Sequence, residues 1–102
     1  NENISGVTLP KEHENAFHVY NQYTIRSSER DSLRQLLVDK KIGCSIYYPH
    51  PLHVQSYLLK FGYKLGDMPV CEQVCKEVLS IPIYPELTRG ELEIIAREIN
   101  SK

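Results

Sequence analysis

The chain has 102 residues, 41% of them hydrophobic and 25% charged, with a formal net charge of −1. That length allows one domain with a real core, and the balance belongs to a globular protein, not a disordered or fibrous one. Near-neutral charge gives no electrostatic case for nucleic acid or an anionic membrane surface as a partner.

No stretch is long and apolar enough to span a bilayer, and Asn1-Glu2-Asn3 lacks the basic-then-apolar layout of a signal peptide. The cysteines, Cys44, Cys71 and Cys75, are odd in number. That disfavours a disulfide framework and points to a reducing, cytoplasmic setting. The chain opens without methionine on Ile4-Ser5-Gly6-Val7-Thr8-Leu9-Pro10, which reads as the interior of a larger protein. Seven tyrosines against two phenylalanines and no tryptophan suggest apolar surfaces that also need hydroxyl partners.

Residues 1–15 carry Gly6, Pro10 and the charged patch Lys11-Glu12-His13-Glu14 without periodicity, and read as a connector. Phe17 to Arg26 is rich in β-formers, with Val19, Tyr23 and Ile25 on one parity, and predicts a strand with one buried face. Ser28 with Asp31 three residues later predicts a capped helix start. Leu33, Leu36 and Leu37 form its apolar stripe, and Gly43 suits a left-handed end. Cys44 to Tyr48 predicts a short, mostly buried second strand.

A short helix is expected after Pro51, with Val54, Tyr57, Leu58 and Phe61 on one face. Asp67 and Pro69 open another, where Val70, Val74 and Val78 recur every four residues. Leu79 to Ile83 predicts a third strand, and Pro82 makes it an edge strand or a strand end. Thr88 with Glu91 forms a second capping box. Leu92, Ile95, Ala96 and Ile99 then give the stripe of the closing helix. The expected fold class is α/β, or α+β if the sheet is antiparallel: about three strands covered by helices.

The run Tyr47-Tyr48-Pro49-His50-Pro51-Leu52-His53-Val54-Gln55 carries most of the functional signal. It sits where a strand ends and a helix begins, and its prolines fix φ near −65° and withhold backbone donors. Polar and aromatic tips on a stiff turn are how a scaffold presents a binding site. Tyr47 and Tyr48 should face opposite sides of the strand, so one of them is expected to be buried. His53, on a face with Tyr57 and Lys60, is expected to stand free for an oxygen-rich ligand.

Other chemistries find less support. His50, His53, His18 and the cysteines lack the close pairing of structural zinc sites, and Cys71 and Cys75 read as small hydrophobes beside a valine stripe. No glycine-rich phosphate loop or nucleophile elbow is present. Cys44 with His53 as base remains open as a nucleophile pair, although a thiol opening a buried strand is more often inert.

Read together, His18-Val19-Tyr20-Asn21-Gln22-Tyr23-Thr24-Ile25-Arg26, Arg30-Asp31-Ser32-Leu33 and Ile42 through His53 resemble the C-terminal portion of the DegT/DnrJ/StrS family. Gly66-Asp67-Met68-Pro69-Val70-Cys71-Glu72 and Val78 through Thr88 extend the resemblance in register. These are pyridoxal 5'-phosphate-dependent aminotransferases acting on keto-sugar nucleotides. The resemblance implies that residues 16–102 are the small C-terminal domain of a fold-type-I enzyme, and that 1–15 lead in from an N-terminal cofactor domain. It implies that the cofactor lysine lies in that other domain, so that this segment alone is inactive.

The resemblance further implies substrate contacts from Tyr47, Tyr48, His53 and Gln55, with no catalytic, cofactor or metal ligands of the segment's own. Histidine is common in the family at the position of Tyr47. The Tyr-Pro-x-Pro-Leu-His form is similar to the branch that aminates C3 of the sugar. Glutamate as amino donor and a homodimer with shared sites are the expected companions. Two other readings are a non-catalytic sugar-binding or dimerisation module of the same fold, and a sugar dehydratase of the same family.

Overall fold

A computed structural model describes residues 4–102. At its centre strand β1 (Tyr23–Arg26) pairs antiparallel with strand β2 (Val78–Ile81), with Ile25 opposite Leu79 and Thr24 opposite Ser80. The Thr24 and Ser80 hydroxyls lie 2.8 Å apart across that pair. Single bridges extend the sheet on both sides, Thr8 to Arg26 and Ser45 to Ser80. All four residues of β2 are buried, as an inner strand requires. Pro82 falls just beyond its end, so the pairing of β2 with β1 loses no donor. The antiparallel pairing selects the α+β form of the expected class.

The predicted second strand, Cys44 to Tyr48, is reduced to the Ser45 bridge, and the backbone explains why. Ser45 exchanges both bonds with Ser80, at 3.0 and 2.7 Å. The next hydrogen-bonded pairs of such a ladder would fall opposite Pro82 and Val78. Proline has no N–H, and the Val78 N–H already donates to the Val74 carbonyl at a helix end. Pairing therefore stops after one bridge. The predicted first strand is shortened from the other direction. Tyr20 has φ of 47° and its N–H donates to His18 Nδ1 at 2.8 Å, which breaks the extended run before Tyr23. Phe17 and Val19 are accordingly exposed, not buried.

Helix α1 spans Arg30–Asp39 and buries Leu33 and Leu37. It starts later than predicted: Glu29 is the N-cap residue without a side-chain bond, and the Ser27 hydroxyl accepts from the Glu29 N–H. The left-handed residue after the helix is Lys41, not Gly43. A 3₁₀ turn (Leu52–Val54) leads into the four-residue helix α2 (Ser56–Leu59). Tyr57 and Phe61 are exposed there, so the predicted apolar face does not reach the core.

Helix α3 (Pro69–Glu77) carries proline in its first turn, where no donor is lost. Its predicted valine stripe is rotated: Val70 is exposed, Cys75 faces inward, and Val78 already belongs to β2. The Arg30 guanidinium donates to the Cys75 and Val78 carbonyls at 3.1 and 3.2 Å, satisfying acceptors at the end of this helix. Helix α4 (Arg89–Asn100) has the predicted capping box, with Thr88 accepting from the Glu91 N–H and Glu91 accepting from the Thr88 N–H. It buries Ile95, Ala96 and Ile99.

One core joins these elements: Ile25, Leu33, Leu37, Leu79, Ile81, Ile95 and Ile99. The predicted connector is part of the packing. Ile4, Val7 and Leu9 lie against the core, and the Ser5 N–H donates to Asn100 Oδ1. Its first three residues, 1–3, lie outside the described residues. Among the described residues no helix is long and apolar enough to cross a membrane.

Candidate functional site

The segment 45–72 stands beside the core and not in it. Of its large apolar side chains, Tyr48, Leu52, Tyr57, Phe61, Leu65 and Val70 are all exposed. Its first anchor is the Ser45–Ser80 bridge. Its second is the 3₁₀ turn, where the chain folds back after Pro51, which is buried.

Tyr47 and Tyr48 follow the bridge, and the peptide between them is cis. Their rings meet edge to face with centroids 5.9 Å apart. Neither is buried: Tyr47 is 44% and Tyr48 68% exposed. The expectation of one buried tyrosine fails because no strand, and so no covered face, exists at these positions. Tyr47 lines a shallow groove of about 410 Å³ together with Asn21, Gln22 and Ser45. Two carboxamides, a hydroxyl and a phenol give that groove donors and acceptors without net charge. Sequence reasoning missed Asn21 and Gln22, although Asn21 was the one polar residue on the supposed buried parity of the first strand.

His53 is placed differently from the expectation. It is only 4% exposed, and its Nε2 lies 2.7 Å from Glu72 Oε1 on helix α3. The ring therefore does not stand free for a ligand. The cause is the 3₁₀ turn, which points residue 53 inward, whereas an α-helix from Pro51 would have pointed it out beside Tyr57. Glu72 also accepts from the Gly66 N–H at 2.7 Å. Burial pushes the Glu72 carboxyl up, but the Gly66 N–H, His53 and the Met68 N–H together hold it below the usual carboxylate range. Gln55 is half-buried between the turn and α2, and its side chain makes no capping bond to that helix.

The thiols divide by position. Cys75 is buried and Cys71 exposed one turn away. Burial pushes the Cys75 thiol up, with Cys71 adding to it, and burial likewise raises Cys44. A raised thiol is a poor nucleophile, and the Cys44 thiol faces the Arg34 carbonyl at 4.0 Å. Every lysine is exposed, and Lys40 and Lys102 lie in ion pairs with Glu98 and Glu29. Pyridoxal phosphate is held through a lysine amine desolvated in a pocket. The described residues offer no such lysine and do not by themselves fit that group.

The model of the DegT/DnrJ/EryC1/StrS aminotransferase family matches residues 1–100. A "pleiotropic regulatory protein" of Geobacillus stearothermophilus is 41% identical over 93 residues, 91% of this chain and 25% of that protein. The dTDP-3-amino-3,6-dideoxy-alpha-D-galactopyranose transaminase of Aneurinibacillus thermoaerophilus is 30% identical over 94 residues, 92% of this chain and 25% of that one. Among solved structures, S. venezuelae DesV superposes with a TM-score of 0.89 at 28% identity, covering 96% of this chain and 26% of its own. An aminotransferase from Brucella abortus does so at 0.85 and 31% identity, covering 94% of this chain and 26% of its own. The chain spans about a quarter of the length of the curated relatives it matches. With the match running through nearly every residue and the mixed helix–strand fold superposing throughout, the chain belongs to the DegT/DnrJ/EryC1/StrS aminotransferase family.

Proposed function

We propose that this chain is the small C-terminal domain of a pyridoxal phosphate-dependent aminotransferase that transfers an amino group from glutamate to a keto-sugar nucleotide. Residues 1–15 lead in from an N-terminal domain that holds the cofactor and its lysine, and residues 16–102 form the small domain. The complete enzyme works as a cytoplasmic homodimer. This segment alone does not transaminate.

The observation that carries this reading is the match of almost the whole chain to the DegT/DnrJ/EryC1/StrS aminotransferase family and its superposition on an aminotransferase of that family, together with what its relatives are named for. Relatives between 30% and 35% identical include three transaminases of sugar nucleotides named for a 3-amino or 3-dehydro position. Their names support amination at C3. They differ in nucleotide, dTDP in two and UDP in the third, so the base is not the shared feature.

In this reading the chain binds and orients the substrate. Tyr47 and Tyr48 present ring faces and phenol hydroxyls suited to a sugar, where one side is apolar and the rim is rich in hydroxyls. Gln55 adds a carboxamide, and His53 forms the buried base of the turn that carries all three.

A second reading, a module with a regulatory role, is favoured by the name of the 41%-identical relative. One assay separates the two. The intact protein is incubated with glutamate and a panel of keto-sugar nucleotides, and amino-sugar products are followed by mass spectrometry. Conversion that falls in Tyr48→Phe, with cofactor absorbance intact, supports the enzyme. Binding without conversion across the panel supports the module.

A further inference from the structure

Two stretches far apart in sequence, Pro51–Gln55 and Gly66–Glu72, meet at a single oxygen atom. Glu72 Oε1 accepts from the Gly66 N–H and from His53 Nε2, each at 2.7 Å. One carboxylate oxygen thus joins helix α3, the loop before it and the 3₁₀ turn. A carboxylate can only accept, so Nε2 carries the proton of this bond and the ring orientation is fixed. Nδ1 is buried and has no hydrogen-bond partner among the described residues, so no other polar bond holds the ring.

The position of this clamp matters more than its strength. The turn that carries the tyrosines is held at one end by the Ser45–Ser80 bridge and at the other by His53. Between them Pro49 and Pro51 have locked φ, so a shift of the His53 ring is passed along the backbone instead of being absorbed. Tyr48 lies five positions before the ring and Gln55 two after it.

We propose that Glu72 is a positioning residue: acting through His53, it sets where Tyr47, Tyr48 and Gln55 meet the substrate. The role in substrate binding rests on the function proposed above; the clamp itself stands on the geometry alone.

The test compares Glu72→Ala with Glu72→Gln in the intact protein. Glutamine keeps an oxygen that can accept from His53 and Gly66, whereas alanine keeps none. Two readouts are taken. The first is backbone hydrogen exchange over residues 47–55. The second is the split between KM for the keto-sugar nucleotide and the rate of the glutamate half-reaction. Glu72→Ala is expected to speed exchange over 47–55 and to raise that KM on the order of ten- to a hundredfold, since displaced positioning groups cost rates of this size. The glutamate half-reaction stays unchanged, and Glu72→Gln lies close to the parent protein in both readouts.

A lower melting temperature with unchanged KM and unchanged exchange over 47–55 overturns the proposal, because it reports a merely structural bond. If the parent protein converts no keto-sugar nucleotide, the proposed function fails, and the exchange readout still decides whether Glu72 holds the turn. Should Glu72→Ala not fold, Glu72→Asp takes its place, since its arm is one methylene shorter and cannot reach both donors. Faster exchange and a raised KM in Glu72→Asp support the clamp, and unchanged values of both overturn it.

Discussion

Replacing Leu79 by alanine tests whether β2 is the inner strand on which the rest of the molecule is built. Leu79 is fully buried, lies opposite Ile25 and packs in the cluster that includes Leu33, Leu37, Ile95 and Ile99. The change removes about three carbon groups, roughly 2.4 kcal/mol at about 0.8 kcal/mol for each. The surrounding strands and helices close only partly over the gap, which raises the loss to about 3–5 kcal/mol. A domain of this size holds about 5–15 kcal/mol in total, so the variant is left near the edge of folding. In urea unfolding of the 102-residue chain the midpoint should drop by roughly 2–3 M, for a slope of about 1.5 kcal/mol per M. Leu92→Ala is the control, because Leu92 is half-exposed on helix α4. Its loss should stay under about 1 kcal/mol. Equal midpoints for the two variants, or a Leu79→Ala shift below roughly 0.5 M at that slope, would refute the core described above.

Thr88→Ala removes the hydroxyl that caps helix α4 and should cost about 1 kcal/mol. Thermal unfolding would report this as a fall of roughly 4–8 °C, and no change would mean that the capping box carries no weight. Acid should destabilise the fold through Glu72 and Glu77. Gln73 and Arg26 hold the Glu77 carboxyl below its usual range, as Gly66, His53 and Met68 hold Glu72 against the opposing effect of burial. Carboxyls lowered by folding stabilise above the ordinary carboxylate range, and that contribution is lost as pH falls through their lowered values. A pH series of unfolding midpoints should therefore decline below about pH 4, and a flat profile there would contradict these pairings. A thiol reagent should label Cys71 in the native protein and reach Cys75 only after unfolding, since Cys75 is buried and its thiol is raised. Native labelling of Cys75 at the rate of Cys71 would show that helix α3 is turned the other way.

Local signals were legible in the sequence wherever the structure satisfies them locally. The Thr88–Glu91 capping box, the proline opening α3 and the Ile95–Ile99 stripe of α4 each need only a few neighbouring residues, and each is present in the fold. Signals that depend on a distant partner were misread. The predicted strand at Cys44–Tyr48 has β propensity, but its ladder is blocked by Pro82 and by a Val78 N–H already committed to α3. The Val70–Val74–Val78 spacing is regular, yet it crosses from a helix into a strand and so marks no single face.

The site shows the same division. Tyr47 and Tyr48 stand out in sequence because two aromatics beside two prolines are conspicuous, and the structure leaves both rings exposed. The partner that holds His53 inside is a glutamate nineteen residues away, and only the three-dimensional pairing reveals it. Asn21 and Gln22 join the groove because β1 begins at Tyr23, opposite Ile81 and one residue from the Ser80 that bridges Ser45, a neighbourhood that no local pattern encodes.

Photo-crosslinking tests the substrate-facing role of this segment most directly. A keto-sugar nucleotide analogue with a photoreactive group on the sugar is bound to the intact protein, irradiated, and the attachment point mapped by mass spectrometry. Attachment is expected within residues 47–55, with Tyr48 the foremost acceptor, and should be lost when unmodified keto-sugar nucleotide competes. Competed attachment that falls wholly outside this chain would contradict that role.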